Sequence, residues 1–396
     1  MNWRFLYIII FCTLLSGTAY AQFIDEFDRS TVDEWRWFTG DGDATMDFKS
    51  SNGYASIVVD ATQDKRNIWW ALIQRTVSED LDLTLLQQGV YELRIEARIR
   101  VSHAPRRVNL HAHTQKTTDF HTHLMEFDIP DTVNWHTISM TTEDFEAEPD
   151  DTINAQLALM DWGLEKYRVD IDYFKVDVID PADAAPDKGE QVQYPPPELS
   201  PGMFTRQFSV SQNAMVDIKY PEVNFENWYA EETSGTTPVL TVGTTQYVLL
   251  RWNLRELRNH HVTGPGLLTL TTHSLKRAET DLHEFGKIRI VEILNGDPLW
   301  KRESVTVHTL TGGKTLDEVF NSQMVIDVDV SGPPGSITSI TIPRPVLQRM
   351  VDGTTLGLAI RPLGTINVSF YAKEYTDENN RAVLYLNTID TDEVNN

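Results

Sequence analysis

Period-two alternation is the strongest constraint on this chain. Residues 91–101 (YELRIEARIRV) and 167–179 (YRVDIDYFKVDVI) alternate polar and apolar side chains. A pleated strand sends successive side chains to opposite faces, so this pattern predicts half-buried β-strands. Residues 107–113, 120–129, 135–142 and 154–162 read the same way, separated by turn-forming clusters such as TQKTTD and EAEPDD. A second group follows at 245–254, 266–275, 287–294, 324–330, 355–362, 367–373 and 382–388. Helical periodicity is confined to 343–351 (PRPVLQRMV), where proline opens a short apolar-faced helix. The predicted class is all-β, with short strands at sandwich spacing.

Residues 180–202 (DPADAAPDKGEQVQYPPPELSPG) contain six prolines and almost no large aliphatic side chains. Such a stretch favours extended polyproline conformations and reads as a semi-rigid linker. The expected organisation is a domain at 22–180, a linker at 181–202, a second domain at 203–390 and an acidic tail at 391–396. Two tandem, jelly-roll-like β-sandwiches fit these lengths.

Residues 1–21 carry Arg4, an apolar run from Phe5 to Leu15 and Ala19-Tyr20-Ala21. This is the pattern of a secretory signal peptide, so a secreted, extracellular or periplasmic location is expected. The run is shorter than a membrane span needs, and no later stretch is long enough. The one cysteine, Cys12, falls inside it, leaving no thiol or disulfide chemistry for the remainder. With 34 basic and 58 acidic residues the net charge is −24, which argues against nucleic acid as a partner.

The first half resembles carbohydrate-binding jelly rolls of the family 4/9 type. The resemblance is carried, in order, by Phe23–Asp28 with Trp35, by Gly89-Val90-Tyr91-Glu92-Leu93, by Asn134-Trp135-His136-Thr137-Ile138 and by Val169–Val176. The second half resembles DNRLRE-type domains of secreted polysaccharide-degrading proteins, through Val248–Leu254, Thr355–Arg361, Val368–Glu374 and Arg381–Leu386. Trp252, Asn253, Ala372 and Ala382 depart from that pattern. Together these resemblances imply attachment to a glycan. The first also implies a structural Ca²⁺, for which Glu26, Asp28 and Asp172 occupy comparable positions, with Asp47 as an addition; oxygen-rich sites of this kind suit that ion.

Two H-x-H pairs, His111/His113 and His121/His123, place imidazoles two residues apart and therefore on one strand face each. If 114–120 is a hairpin loop the four rings converge, which suits a metal, a proton-transfer site or a polar sugar-binding face. Arg94, Arg98 and Arg100 share another strand face; beside the histidines they favour a uronate or sulfated polysaccharide. Flat indole rings pack on sugar C–H faces, which makes Trp69 and Trp135 candidates. The ligand-binding set is therefore His111, His113, His121, His123, Arg94, Arg98, Trp69 and Trp135.

Two other classes stay open. One is a polysaccharide lyase or hydrolase on the His-rich face, with His121 or His123 as base, Arg98 neutralising a carboxylate and Tyr173 assisting. Glu92-Leu93-Arg94, His111 and Tyr173-Phe174-Lys175 are similar to alginate-lyase jelly-roll strands, but Asp177 and Ile179 replace the glycine and second tyrosine of that motif. The other is a cell-envelope adhesion or matrix protein. The leading expectation is a non-catalytic, secreted binder of an acidic polysaccharide.

Overall fold

The computed structural model describes residues 22–40, 42–51, 53–64, 71–160, 163–233, 235–277 and 286–391. The chain forms two tandem β-sandwiches. The first contains β1 (Gln22–Asp25), β2 (Arg36–Thr39), β3 (Thr45–Ser51), β4 (Tyr54–Asp60), β5 (Ala71–Thr76), β6 (Glu92–Val101), β7 (Arg106–Thr114), β8 (Leu124–Ile129), β9 (His136–Thr141), β10 (Ile153–Leu159) and β11 (Lys166–Ile179). One sheet runs β3-β4-β11-β6-β9 with β1 on β11, and the other runs β2-β5-β10-β7-β8. Every pairing is antiparallel.

Alternation explains the core. Leu93, Ile95, Ala97 and Ile99 of β6 face Val108, Leu110 and Ala112 of β7 and Ala155, Leu157 and Leu159 of β10 in one buried cluster. Removing such side chains from water is worth about 1.5–3 kcal/mol each and holds the sheets face to face. Trp35 belongs to this core, its indole N–H donating to Asp25 at 2.9 Å.

The second sandwich contains β12 (Arg206–Ser209), β13 (Gln212–Asp217), β14 (Tyr229–Glu232), β15 (Gly235–Val242), β16 (Gln246–Arg251), β17 (His260–Val262), β18 (Gly266–Arg277), β19 (Gly286–Ile293), β20 (Phe320–Asp329), β21 (Ile337–Ile342), β22 (Leu358–Gly364), β23 (Ile366–Tyr371), β24 (Val383–Leu386) and β25 (Thr388–Asp390). Its main sheets run β12-β24-β18-β23-β15-β14, with β21 on β18, and β13-β16-β22-β19-β20. The expected helix is present as Arg344–Asp352, and it stops where Gly353 turns to φ 79°. Val346, Leu347, Met350 and Val351 seat it on the core.

The proline-rich segment, read from its composition as a semi-rigid linker, is packed against the first sandwich. Its residues cover the open edges of β9 and β8: Ser139 N donates to Lys188 O at 3.0 Å, Asp128 N to Glu190 O at 2.9 Å and Val192 N to Glu126 O at 2.9 Å. Gly189 holds φ 102°, and a Cβ there would meet Ile138 and Phe127 at 2.9 Å. Arg344 of the second sandwich pairs with Glu190, tying the segment to it.

Candidate functional site

The outward face of the β2-β5-β10-β7-β8 sheet carries a row of polar side chains in strict register. Arg36, Gln74, Gln156, His111 and Leu124 lie opposite one another on five successive strands. Alongside run Thr76, Asn154 and His113 on one flank, and Leu72, Ala158 and Asn109 on the other. These residues point away from the core because their chain neighbours Ala155, Leu157, Leu110 and Ala112 are the ones buried in it.

Gln156 is the hub. Its Nε2 donates to Gln74 Oε1 at 3.0 Å and lies 2.6 Å from His113 Nε2, while its Oε1 faces His111 Nδ1 at 3.4 Å. The His111 and His113 rings stack 5.2 Å apart, and the half-exposed Phe120 ring stands over both at 5.9 and 5.3 Å. Burial pushes His111 down to about 4, with the nearby imidazoles adding to the effect. Burial also lowers His113. Both rings are therefore neutral near pH 7. His111 is 4% exposed, and its Nε2 has no hydrogen-bond partner. It is an unused acceptor enclosed by its neighbours.

The second pair reaches the neighbourhood of His111 without the strand geometry expected of it. Residues 121–123 are a turn, so the second H-x-H pair shares no strand face. His121 is exposed and pairs with Asp119 at 3.1 Å, whereas His123 packs on Phe145 at 4.9 Å and is lowered by burial.

The arginine row is also not beside the histidines. Arg94, Arg98 and Arg100 project from β6 in the other sheet, with the sandwich core between them and β7. Arg94 is spent on the linker, donating to Ala185 O at 2.7 Å and lying 3.1 Å from Asp187. Arg98 pairs with Asp172 at 2.7 Å and Arg100 with Asp170 at 3.0 Å. Both guanidinium groups lie over Trp135, at 5.8 and 4.8 Å, so this tryptophan too belongs to the opposite side. Tyr173 donates to Glu96 at 2.6 Å on that same sheet. The predicted catalytic set of His121, His123, Arg98 and Tyr173 is thus split across the core. Trp69 lies outside the described residues.

The predicted Ca²⁺ ligands are not gathered either. Asp172 is engaged with Arg98 and Asp47 with Lys49, and Glu26 and Asp28 line a separate cleft at the chain's N-terminal edge. Among the described residues, the three carboxylates with oxygens within 4.8 Å of one another are Glu148, Asp150 and Asp151. Lys116 already occupies that cluster, 2.7 Å from Glu148 and 2.9 Å from Asp151.

Sequence reasoning missed the amides. Gln74, Asn109, Asn154 and Gln156 carry no charge and belong to no motif, but 154 and 156 are the polar positions of NAQLALM, two apart and hence on one face.

No family model matches the chain, and no curated protein matches it. Among solved structures it is similar to the tandem CBM22 domains of Paenibacillus barcinonensis Xyn10C, at 10% identity over 95% of this chain and 100% of that one, with a TM-score of 0.28. It is also similar to a CBM4 module, at 18% identity over 39% of this chain and 97% of that one, with a TM-score of 0.27. A family 11 carbohydrate-binding module from Clostridium thermocellum matches at 14% identity over 40% of this chain and 97% of that one, with a TM-score of 0.26. TM-scores this low carry no functional weight.

Proposed function

We propose that this is a secreted, non-catalytic polysaccharide-binding protein that holds its glycan on the outward face of the β2-β5-β10-β7-β8 sheet. The observation that carries the reading is the in-register Gln74–Gln156–His111 row with the half-exposed Phe120 ring standing over its histidines. Planar amides and neutral imidazoles donate to and accept from hydroxyls without imposing a charge. The half-exposed Phe120 ring supplies surface for sugar C–H faces. The sequence resemblance to family 4/9 modules, carried by the residues quoted above, supports the same class.

The expected preference for an acidic glycan rested on arginines beside the histidines. With those arginines on the opposite sheet and paired to carboxylates, the Gln74–Gln156–His111 centre of the face is uncharged and favours a neutral polysaccharide. A lyase reading loses its constellation for the same reason.

The test is retention of the purified protein on insoluble xylan, mixed-linkage β-glucan, alginate and ulvan, with unsaturated and reducing ends assayed in the same samples. Retention on a neutral glycan without new ends is expected. Retention on none, or new ends that vanish in His113→Ala, overturns the reading.

A further inference from the structure

A cavity of ≈ 1120 Å³ lies between the two sandwiches, slightly larger than the usual small-ligand pocket. One wall is the far end of the face just described. Arg107, Glu126 and Asp128 line it, on the same strand faces as Asn109 and His111. From His111 to Arg107 along β7 is only about 13 Å at the rise of a strand. The opposite wall comes from β19, β20 and β22, which present Arg289, Val325 and Arg361, and Tyr194 of the linker borders the space.

The charges of the lining largely cancel one another. Arg107 donates to both Asp128 oxygens at 3.0 and 3.2 Å, the Tyr194 hydroxyl donates to Glu126 at 2.7 Å, and Arg289 holds both Asp327 oxygens at 2.7 Å. Arg344 pairs with Glu190. Arg361 lies 5.9 Å over Tyr247 and has no carboxylate partner among the described residues. Everywhere but at Arg361 an ionic ligand would have to displace pairs already made, whereas a hydroxyl donates to a carboxylate's spare lone pair or accepts from a guanidinium as it stands. Val325 is 41% exposed and Tyr194 66%, so apolar surface is available beside these groups.

We propose that this cavity is a second section of the glycan site, so that one neutral polysaccharide chain runs from the Gln156 row past Asn109 into the gap and is held there by the second sandwich. The proposal rests on the glycan reading of the first face. Its consequence is that affinity keeps rising with oligosaccharide length after the outward face is filled, because the second sandwich adds contacts to a chain already bound.

Calorimetric titration with xylo-oligosaccharides and mixed-linkage β-glucan oligosaccharides of increasing length tests it, using the full chain, Val325→Trp, Arg361→Ala and Gln156→Ala. Wild type is expected to gain about tenfold on the longest oligomers. Val325→Trp and Arg361→Ala are expected to lose that gain and keep wild-type affinity for the short ones, while Gln156→Ala weakens binding at every length. Cavity variants that track wild type at every length, or a wild type with no gain on long oligomers, overturn the proposal and leave the outward face standing. If Val325→Trp fails to fold, Arg361→Ala decides. A wild type that binds none of these oligomers overturns the reading of the face itself and the cavity proposal with it.

Discussion

The Gln156 side-chain nitrogen stands 2.6 Å from His113 Nε2, and only the amide can supply the hydrogen between them. His113 is therefore an acceptor at Nε2 and carries its proton on Nδ1, which points to the Thr114 carbonyl at 3.3 Å. Gln156 thereby orients both stacked imidazoles and Gln74.

Replacing Gln156 with Leu keeps the volume and strands two buried acceptors, on Gln74 and His113. The expected cost is about 1–3 kcal/mol in urea unfolding. Glycan affinity should fall about tenfold or more, read by calorimetry. Lower stability with unchanged affinity would make the row structural and move the binding site elsewhere.

Stability should also fall in mild acid. Burial holds His111 down to about 4, while in the unfolded chain it titrates near the ordinary 6.5. As pH drops through that window the unfolded state takes up a proton that the folded state refuses, so stability declines and then levels off below about 4. The size of the effect is about 3 kcal/mol. His111→Gln removes it. Unfolding midpoints between pH 7 and 4 should be flatter in that variant by this amount, and parallel profiles would contradict the burial argument.

How much was legible in the sequence follows from what each strand faces. β6 and β11 show alternation because one side meets the core and the other meets water or paired charges. β7 and β10 are buried along their whole length, so their outward side does not announce itself by charge. The histidines at 111 and 113 stood out by type, but Gln74 and Gln156 did not, since neutral amides serve equally in cores, caps and sites. Strand faces were readable and strand partners were not. The β6 arginines and the β7 histidines look adjacent in sequence, yet the chain crosses from one sheet to the other between 101 and 106.

In the second sandwich, Arg349 donates to both oxygens of Glu292 at 2.8 and 2.7 Å, and Asn321 Nδ2 donates to the same carboxylate at 2.9 Å. Glu292 is 1% exposed, so either partner alone would be a desolvated charge. Arg349→Met should cost about 3–5 kcal/mol, and the double replacement Arg349→Met with Glu292→Met should restore most of it. Denaturant titration of both single variants and of the double checks the pattern; a double loss equal to the sum of the two single losses would mean that the pair adds no coupling.

The linker predicts a different phenotype. Gly189 permits the segment to lie against Phe127 and Ile138 with left-handed backbone. Gly189→Val should lift residues 187–192 from the β8 and β9 edges. Limited proteolysis and amide exchange should then localise to that segment, with the sandwich cores protected as before. Unchanged protection there would show that the contacts are incidental.

Arg98 offers the sharpest separation between the two faces. Its guanidinium pairs with Asp172 at 2.7 Å and lies 5.8 Å over Trp135, on the sheet opposite His111. The pair is partly exposed, so Arg98→Ala should cost at most about 1 kcal/mol of stability. If glycan is held on the Gln156 row, Arg98→Ala and Trp135→Ala should change affinity by less than about twofold, while Gln156→Ala weakens it about tenfold. Matched titrations on one oligosaccharide decide the matter. A loss in Arg98→Ala as large as that in Gln156→Ala would place the sugar on the arginine face and restore the preference for an acidic glycan.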